Sequence, residues 1–482
     1  MMAACGFIKG GNTTFDQSLE QGLAPKYSSL SCASLFSKYI FDLGKNETKD
    51  FVDLTLLASQ SVNPITNELE KYLSIGLLSS EDGKNVRQPL NLIIVLDISG
   101  SMDANLSQKK WYSKSSQSKL DLARSCTKNI YSQLKDDERL GVFTFNDFSE
   151  VILPIQAKKN IDKSKFFLKL DELKASGGTS IEVAYTPAVA MLKNQINEDA
   201  QDVKGDQKPK NNRIIFITDA MIEQYQEGES LFNINFQASA KPFNIFTSFI
   251  GVGIDFDTDL ITRLTKVRGS NYFAVHSDDE FKKTLEKDFN YIVTPLCFDV
   301  YVKIQSKKFE IERTFGSEFD HDGEQKFDSQ LEMQKGGVLR VETLTAYEKS
   351  KGGIKGGVVL VKLKDKEEKN DESKEDYRIT VSVEFEDIEG IKHLVEKEID
   401  GKMIDQKEYY PSSGVRKALL LSRYVSFAKG ILDKTKQIVK SENVKERKER
   451  FVLYFEQEMK ILKDGTLDEE YKNLKELMKI KV

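Results

Sequence analysis

The sequence contains few of the residues that carry sulfur or imidazole chemistry. There are four cysteines and three histidines in 482 residues. No two cysteines stand at the spacing of a metal-ligand or redox motif, and no histidine lies in a His-Glu-x-x-His sequence. A zinc or thiol redox centre is therefore not predicted, and the cysteines are interpreted as reduced core or surface residues. The residues concerned are Cys5, Cys32, Cys126, Cys297, His276, His321 and His393.

Long hydrophobic runs are also absent, and neither sign of charge is in large excess. No apolar stretch approaches the roughly 18 residues of a membrane-spanning helix, so no transmembrane segment is predicted. The first residues lack the basic start of a signal peptide, and Lys9 ends a short apolar stretch. We therefore expect a cytoplasmic protein rather than an extracellular one. The 71 basic and 76 acidic residues give a net charge of -5, which argues against a surface for nucleic acid or anionic membranes.

Two sequence motifs typical of enzymes are missing. There is no G-x-x-x-x-G-K-[ST] sequence, which excludes a phosphate-binding P-loop, and no G-x-S-x-G sequence, which excludes the nucleophile elbow of α/β-hydrolases. No general base with a partner stands in the motifs that the chain does contain. An enzymatic function is therefore not expected.

The middle of the chain alternates short apolar runs with amphipathic stretches. The apolar runs predict strands, several of them buried on both faces, and the amphipathic stretches have the periodicity of helices. This alternation is typical of a doubly wound, Rossmann-like α/β domain, which we assign to residues 89–293. The predicted strands are Leu92–Leu96, Leu140–Phe145, Val151–Ile155, Arg213–Thr218 and Asn244–Val252, and the predicted helices are Lys119–Leu134, Asp162–Leu173, Ile181–Lys193, Thr258–Val267 and Asp278–Phe289.

Both sides of this domain are rich in strand patterns. Residues 25–88 and 294–408 contain runs of strand length in which apolar residues alternate or continue, and they predict one β-sandwich interrupted by the α/β domain. Residues 409–482 have apolar residues at helical intervals and predict a C-terminal helical segment. The remaining segments are an N-terminal tail over residues 1–24 and two polar stretches interpreted as solvated loops, Asn194–Asn212 and Lys362–Asp376.

Three separated segments of the α/β domain carry oxygen-bearing side chains next to predicted strands or helices. Asp97, Ser99 and Ser101 follow the first strand of the domain, Thr179 precedes the helix Ile181–Lys193, and Asp219 follows the strand Arg213–Thr218. Ligands of open α/β sheets bind outside the carboxyl ends of the strands. Oxygen atoms are the ligands that hard cations prefer. The sequence therefore predicts a divalent cation site at this edge.

These segments resemble, in order, the metal-ion-dependent adhesion site of von Willebrand factor type A domains. The resemblance covers residues 90 to about 292 and rests on the Asp-x-Ser-x-Ser, Gly-Gly-Thr and Thr-Asp sequences. The order of the flanking β-rich segments is also loosely similar to that of inter-alpha-trypsin-inhibitor heavy chains. The resemblance implies acidic ligands Asp97 and Asp219, hydroxyl ligands Ser99, Ser101 and Thr179, and two glycines, Gly177 and Gly178, that let the loop approach the ion.

The resemblance implies Mg²⁺ as the ion and a protein as the partner. Mg²⁺ takes about six oxygens, and Ca²⁺ prefers more oxygens at longer distances than this set offers, although Mn²⁺ and Ca²⁺ stay open. With one coordination position vacant, an exposed Asp or Glu of a partner protein would complete the shell. We therefore expect a non-enzymatic binding module.

Four other interpretations stay open at this stage. In the first interpretation, the Asp-x-Ser-x-Ser motif only caps the following helix. In the second, a bound metal would only order the loops. In the third, the chain would be a structural subunit of a large intracellular assembly that uses its β and helical parts. The fourth is metal-assisted hydrolysis.

Overall fold

The chain is described by a computed structural model over most of its length. It covers residues 2–3, 8–9, 13–20, 22–44, 48–81, 87–106, 117–201, 210–219, 231–252, 267–275, 289–290, 293–316, 337–346, 354–355, 357–366, 376–402, 405–433 and 444–480. The chain divides into two units, one formed by Met1–Asp82 with Leu296–Val482 and the other by Gly83–Pro295. The predicted helices Thr258–Val267 and Asp278–Phe289 lie outside the described residues except at their last positions.

The described residues form the following strands and helices. The strands are β1 Met2–Ala3, β2 Ile8–Lys9, β3 Ile40–Phe41, β4 Asp53–Val62, β5 Leu69–Leu78, β6 Leu90–Asp97, β7 Arg139–Phe145, β8 Ser149–Ala157, β9 Asn211–Thr218, β10 Ile245–Val252, β11 Asn271–Val275, β12 Pro295–Ser306, β13 Phe309–Phe315, β14 Gly337–Ala346, β15 Ile354–Lys355, β16 Val358–Asp365, β17 Asp376–Asp387 and β18 Lys392–Lys402. The helices are α1 Thr13–Glu20, α2 Cys32–Lys38, α3 Lys119–Gln133, α4 Lys163–Glu172, α5 Glu182–Gln201, α6 Leu231–Phe243, α7 Ser413–Leu432, α8 Val444–Leu462 and α9 Asp468–Lys479.

The unit formed by Gly83–Pro295 is built on a sheet whose central strands are parallel. Six of its strands lie in the order β11-β10-β9-β6-β7-β8, and only β7 and β8 are antiparallel neighbours. β6 and β9 are buried along their whole length, as expected for parallel strands covered by helices. Their carboxyl ends lie at one edge, so the loops that follow Asp97, Phe145 and Thr218 meet there.

One helix of this unit is longer than the sequence pattern predicts. α5 continues to Gln201, so the first part of the stretch Asn194–Asn212, predicted as a loop, is helical and its end belongs to β9. The prediction was wrong because the polar side chains have partners. The Asp199 carboxylate accepts hydrogen bonds from Arg139 at 2.8 Å and from Lys210 at 2.9 Å.

The two β-rich flanks pair with each other in the other unit. One sheet has the order β13-β16-β5-β4 and joins strands from both flanks, with Val358 of β16 opposite Gly76 of β5. The second sheet has the order β1-β14-β12-β17-β18. β16 ends at Asp365, so the start of the predicted loop Lys362–Asp376 belongs to a strand. Residues 367–375 of that stretch lie outside the described residues.

The helix α7 belongs to the core of the same unit. Leu419, Leu420 and Leu421 are all fully buried, and three consecutive buried residues mean that the helix is covered on most of its circumference. A Cβ atom on Gly414 would lie 2.2 Å from the carbonyl oxygen of Asp42, so only glycine fits at this close approach. The predicted fold class, an α/β domain with a flanking sandwich and C-terminal helices, is confirmed. None of the helices in the described part of the chain has the length and apolarity needed to cross a membrane.

Candidate metal centre

The carboxyl end of β6 delivers Asp97 to the edge of the sheet in a buried position. Its Oδ1 atom accepts a hydrogen bond from the backbone N–H of Ser99 at 2.8 Å, and its Oδ2 atom accepts one from the hydroxyl of Thr218. Burial raises the pKa of the Asp97 carboxyl to about 6, although the hydrogen bonds from Thr218 and Ser99 lower it. A cation beside Asp97 would favour the charged carboxylate, since an opposite charge lowers the pKa of an acid.

Beyond Asp97, short oxygen–oxygen contacts join three further residues across the edge. The hydroxyl oxygens of Ser99 and Ser101 are 3.1 Å apart, and the Ser101 hydroxyl donates to Oδ1 of Asp219 at 2.8 Å. Asp219 directly follows β9 and is 4% exposed. Ser101, in contrast, is exposed. Four of the five predicted ligands therefore form one cluster that has a buried side and a side facing solvent.

The spacing within this cluster is that of oxygens around a small cation. In an octahedral shell with metal–oxygen distances of about 2.1 Å, neighbouring oxygens lie about 3.0 Å apart. The two separations in the cluster, 3.1 Å between Ser99 and Ser101 and 2.8 Å between Ser101 and Asp219, are close to that value. Hydrogen-bonded hydroxyl and carboxylate oxygens have similar separations without an ion, so the fit to Mg²⁺ rests on the chemistry of the donor set.

A lysine that the sequence analysis did not single out contacts the same cluster. Lys119 is the first residue of α3 and is only 8% exposed. Its ammonium donates to Oδ2 of Asp219 at 2.8 Å. Because the two residues are 100 positions apart in sequence, no local pattern reveals the pair.

The N-terminus of helix α3 tests the alternative that the motif after β6 only caps the following helix. Ser118 is its N-cap, and the Ser118 hydroxyl accepts a hydrogen bond from the backbone N–H of Asp121 at 3.1 Å. Ser99 precedes only a short 3-10 turn, Gly100–Asp103, and its side chain makes no capping hydrogen bond there. The interpretation of the motif as the cap of the following helix is therefore wrong.

The glycine-containing loop is fixed against the motif by backbone hydrogen bonds. The N–H of Gly100 donates to the carbonyl of Gly177 at 3.0 Å, and the N–H of Ser176 donates to the carbonyl of Ile98 at 2.8 Å. Gly177 has a φ of +78°, a conformation that favours glycine. Thr179 lies two residues further along this loop and is exposed. No hydrogen bond joins Thr179 to the other four predicted ligands, so its role stays a prediction.

A second residue missed in the sequence, Asp147, holds this loop from the other side. Its Oδ2 atom accepts the backbone N–H of Gly178 at 2.8 Å. A Cβ atom on Gly178 would lie 2.5 Å from Oδ1 of Asp147, and one on Gly177 would lie 2.6 Å from Oδ2. The two glycines therefore permit a close approach of the loop to Asp147. The sequence signal was only the Asn146-Asp147 turn between β7 and β8.

Elsewhere, the described part of the chain offers no competing centre. No group of three or more His, Cys, Asp or Glu side chains within the ranges given above is arranged to hold a metal. The cluster at Asp97 contains two carboxylates, with the remaining oxygens supplied by hydroxyl groups. Two carboxylates only balance the charge of a divalent ion, whereas a set with more carboxylates would make the site negative and repel a further carboxylate.

The fold and this cluster define a doubly wound α/β domain with an oxygen-lined site at its carboxyl edge. Residues 92–221 match the model of the von Willebrand factor type A domain. The chain therefore carries a domain of this family, and the predicted resemblance is confirmed. Domains of this family generally act as protein-interaction modules rather than as enzymes.

Several known proteins are similar to this chain over part of their length. It is 24% identical over 239 residues to the uncharacterized protein sll0103 of Synechocystis sp., covering 49% of this chain and 50% of that protein. It is 26% identical over 216 residues to the inter-alpha-trypsin inhibitor heavy chain H2 of Mus musculus, covering 44% and 20%. The chain thus spans half or less of the length of these relatives. A solved structure, "von Willebrand factor type A from Catenulispora acidiphila", is 12% identical, with a TM-score of 0.49 and coverage of 89% and 97%.

Proposed function

We propose that this protein is a binding module that holds a divalent cation and captures an acidic residue of a partner protein. The proposed ligands are Asp97, Ser99, Ser101, Thr179 and Asp219, and the proposed ion is Mg²⁺. The single observation that supports the proposal best is the hydrogen-bonded cluster of Asp97, Ser99, Ser101 and Asp219, in which the backbone N–H of Ser99 bonds Asp97 and the Ser101 hydroxyl contacts both Ser99 and Asp219. When bound, the ion would supply a Lewis-acidic position for the carboxylate of the partner.

The residues of the chain have separate tasks in this proposal. Asp97 is fixed by hydrogen bonds to both of its oxygens, one from Ser99 and one from Thr218, so it cannot swing away from the edge. Ser101 and Thr179 are exposed residues, and in this proposal they form the side from which a partner would approach. The binding geometry is therefore fixed from inside while the outer side stays accessible.

An exposed aromatic side chain lies in the turn next to this edge. Phe148 is 80% exposed, and it follows Asp147, which holds the glycine loop. Aromatic residues are enriched among the residues that dominate binding energy at protein interfaces. We propose that the partner presents its acidic residue beside an apolar group that covers Phe148.

The proposal is tested by the effect of Mg²⁺ on thermal unfolding. At a free ion concentration of about 100 times Kd, binding to the folded state alone adds about 2.7 kcal/mol to the free energy of unfolding. We expect the unfolding temperature of the parent to rise with Mg²⁺ and to return in chelator. Ser101→Ala and Thr179→Ala should lose most of this rise. Ser176→Ala, in the same loop but outside the proposed ligand set, is the matched control and should keep it.

A partner assay completes the test. Once a partner is in hand, its capture should be lost in chelator and in Ser101→Ala, and should be retained in Ser176→Ala. Unchanged capture in chelator, or an unfolding temperature of the parent that does not respond to Mg²⁺ or Mn²⁺, would refute the proposal.

A second candidate function, a structural subunit of an assembly, is favoured by a groove in the helical segment. This groove has a volume of about 380 Å³ and is lined by Leu453, Met478 and several charged residues. Leu453 and Ile461 on α8 are more than half exposed. Deleting the helical segment would remove the buried helix α7, so Leu453→Asp is the better test. Loss of assembly in Leu453→Asp but not in Ser101→Ala would favour this candidate.

A further inference from the structure

The ammonium of Lys119 donates a hydrogen bond to one carboxylate oxygen of Asp219, a proposed metal ligand. Asp219 bonds Ser101 through Oδ1 and Lys119 through Oδ2, each at 2.8 Å. The side chains of Lys119 and Asp219 are 10% and 2% exposed. Lys119 therefore reaches the carboxylate from the interior, whereas the exposed Ser101 lies on the solvent side.

This contact limits how Asp219 can bind an ion. A carboxylate whose second oxygen is held by an ammonium offers a cation only its first oxygen. Ca²⁺ takes six to eight oxygens and often binds a carboxylate through both oxygens, whereas Mg²⁺ is satisfied with one oxygen per carboxylate in an octahedral shell. The pair Lys119–Asp219 therefore disfavours Ca²⁺ more than Mg²⁺.

The same contact changes the charge of the site. Asp97 and Asp219 carry two negative charges when ionised, and the ammonium of Lys119 cancels one of them. A divalent ion would then leave the site with a net positive charge, whereas without Lys119 the charges would balance. A fixed positive charge weakens the binding of a cation and strengthens the subsequent binding of an anionic side chain.

We infer that Lys119 determines the specificity of the site: it keeps Asp219 monodentate, which selects Mg²⁺ over Ca²⁺, and it leaves the occupied site positively charged toward an acidic ligand. This inference rests on the proposed function, because it concerns an ion held by the same residues. It assigns a role to a residue outside the ligand set.

Three variants separate the two effects of the lysine. Lys119→Met removes both the charge and the hydrogen-bond donor, whereas Lys119→Gln removes the charge and keeps a donor for Oδ2 of Asp219. The matched control is Lys128→Met, which removes a lysine from the same helix, where it pairs with Asp171 at 2.6 Å on the exposed side. Circular dichroism and the unfolding temperature establish that each variant is folded.

The measurement is the affinity for Mg²⁺ and for Ca²⁺ by isothermal titration calorimetry in the full chain. We expect Lys119→Met to bind Ca²⁺ at least about tenfold more tightly than the parent, which corresponds to about 1.4 kcal/mol, with a smaller gain for Mg²⁺. Lys119→Gln should increase the affinity for both ions by similar factors, so it should keep the parent's preference for Mg²⁺ over Ca²⁺. Lys128→Met should match the parent for both ions. If Lys119→Met does not fold, Lys119→Gln still tests the charge effect.

A second readout follows the acidic ligand, with acetate as the probe. With Mn²⁺ bound, acetate displaces exchanging water and lowers the water-proton relaxation rate. The acetate concentration needed for half of this effect should be several-fold higher in Lys119→Met and Lys119→Gln than in the parent and Lys128→Met.

The outcomes separate this inference from the proposed function. If the parent binds Mg²⁺ but the Lys119 variants keep its affinities and its acetate response, the inference is wrong and the proposed function stands. If the parent binds neither ion while Lys119→Met binds both, the ammonium itself is the resident cation. That result would overturn both.

Discussion

The buried hydrogen bond from Thr218 to Asp97 should contribute measurably to the free energy of unfolding. Thr218→Val replaces the hydroxyl by a methyl group of nearly the same size, so the shape of the site is kept and one donor is removed. The Oδ2 atom of Asp97 then has no replacement donor from this position, at a residue that is fully buried.

The expected cost follows from the charge of the acceptor. Hydrogen bonds to charged groups contribute about 1.5 to 3 kcal/mol, against about 0.5 to 1.5 kcal/mol for neutral pairs. Thr127 is the matched control, because its hydroxyl is equally buried and donates to the backbone carbonyl of Ala123 at 3.0 Å. Thr218→Val should therefore lower the free energy of unfolding by about 1 kcal/mol more than Thr127→Val.

The pH dependence of this difference has a defined sign. The pKa of Asp97 is raised by burial from its usual value to about 6, so the folded chain keeps a proton that the unfolded chain has already released. Stability therefore falls as the pH rises from about 4 to about 6 and is constant above. Without the donor Thr218 the pKa is higher still, so the fall continues to higher pH. The deficit of Thr218→Val should be small at pH 5 and largest above about pH 7.

The assay is urea unfolding of the chain in chelator at pH 5 and pH 7.5, followed by circular dichroism. If Thr218→Val lowers the free energy of unfolding at pH 7.5 no more than Thr127→Val does, the conclusion that Asp97 is charged and hydrogen-bonded to Thr218 is refuted. A deficit that is larger at pH 5 than at pH 7.5 would refute the direction of its pKa.

Two further predictions concern the glycine loop and the N-terminal helix. In Gly178→Ala the new Cβ would lie 2.5 Å from Oδ1 of Asp147, so the exposed Asp147 side chain must turn away and weaken its hydrogen bond with the N–H of Gly178; we expect a loss of about 0.5 to 1.5 kcal/mol of stability and a smaller Mg²⁺-dependent rise in unfolding temperature. Burial raises the pKa of Asp16 to about 7, beside Lys38 and two glutamates of α9, so stability should fall from about pH 4 to pH 7 by up to about 1.4 kcal/mol per pH unit. Asp16→Asn should flatten that fall in urea unfolding followed by circular dichroism.

Each of these predictions has a control that isolates its cause. Asp147→Ala removes the carboxylate that meets the new methyl group, so Gly178→Ala should cost less stability in the Asp147→Ala background than in the parent. An unchanged Mg²⁺ response in Gly178→Ala would show that the loop position does not matter for the ion. For the helix, Glu469→Gln removes a carboxylate that is largely exposed and bonds the same Lys38. If Glu469→Gln changes the pH profile and Asp16→Asn does not, the titrating group is Glu469 and the prediction for Asp16 is wrong.

The parts of the structure that depend on local patterns could be predicted from the sequence. β6 and β9 are recognisable because a strand buried on both faces needs an unbroken apolar run. α7 was equally visible, because apolar residues such as Leu420, Tyr424, Phe427 and Ile431 recur at helical intervals. The pairing of β5 with β16 was predicted only as one sandwich, because strand register across a large insertion is fixed by packing rather than by any local pattern.

The site divides in the same way between local and distant determinants. Asp97, Ser99 and Ser101 follow one strand, so their proximity is a local property of the chain. The contact of Asp219 with Ser101 required only the rule that parallel strands end at one edge. The contacts of Lys119 and Asp147 are of another kind, since each depends on where a helix or a turn lies relative to a different loop.

These two missed residues both act on the ligand loops without belonging to the ligand pattern. Asp147 determines how closely the Gly177–Gly178 loop approaches the motif, and Lys119 determines which oxygen of Asp219 is available. A ligand pattern fixes which atoms can bind an ion, but affinity and selectivity depend on the charges and hydrogen bonds that hold those atoms. Chains with the same Asp-x-Ser-x-Ser motif should therefore differ in ion preference wherever the residue that contacts the second aspartate differs.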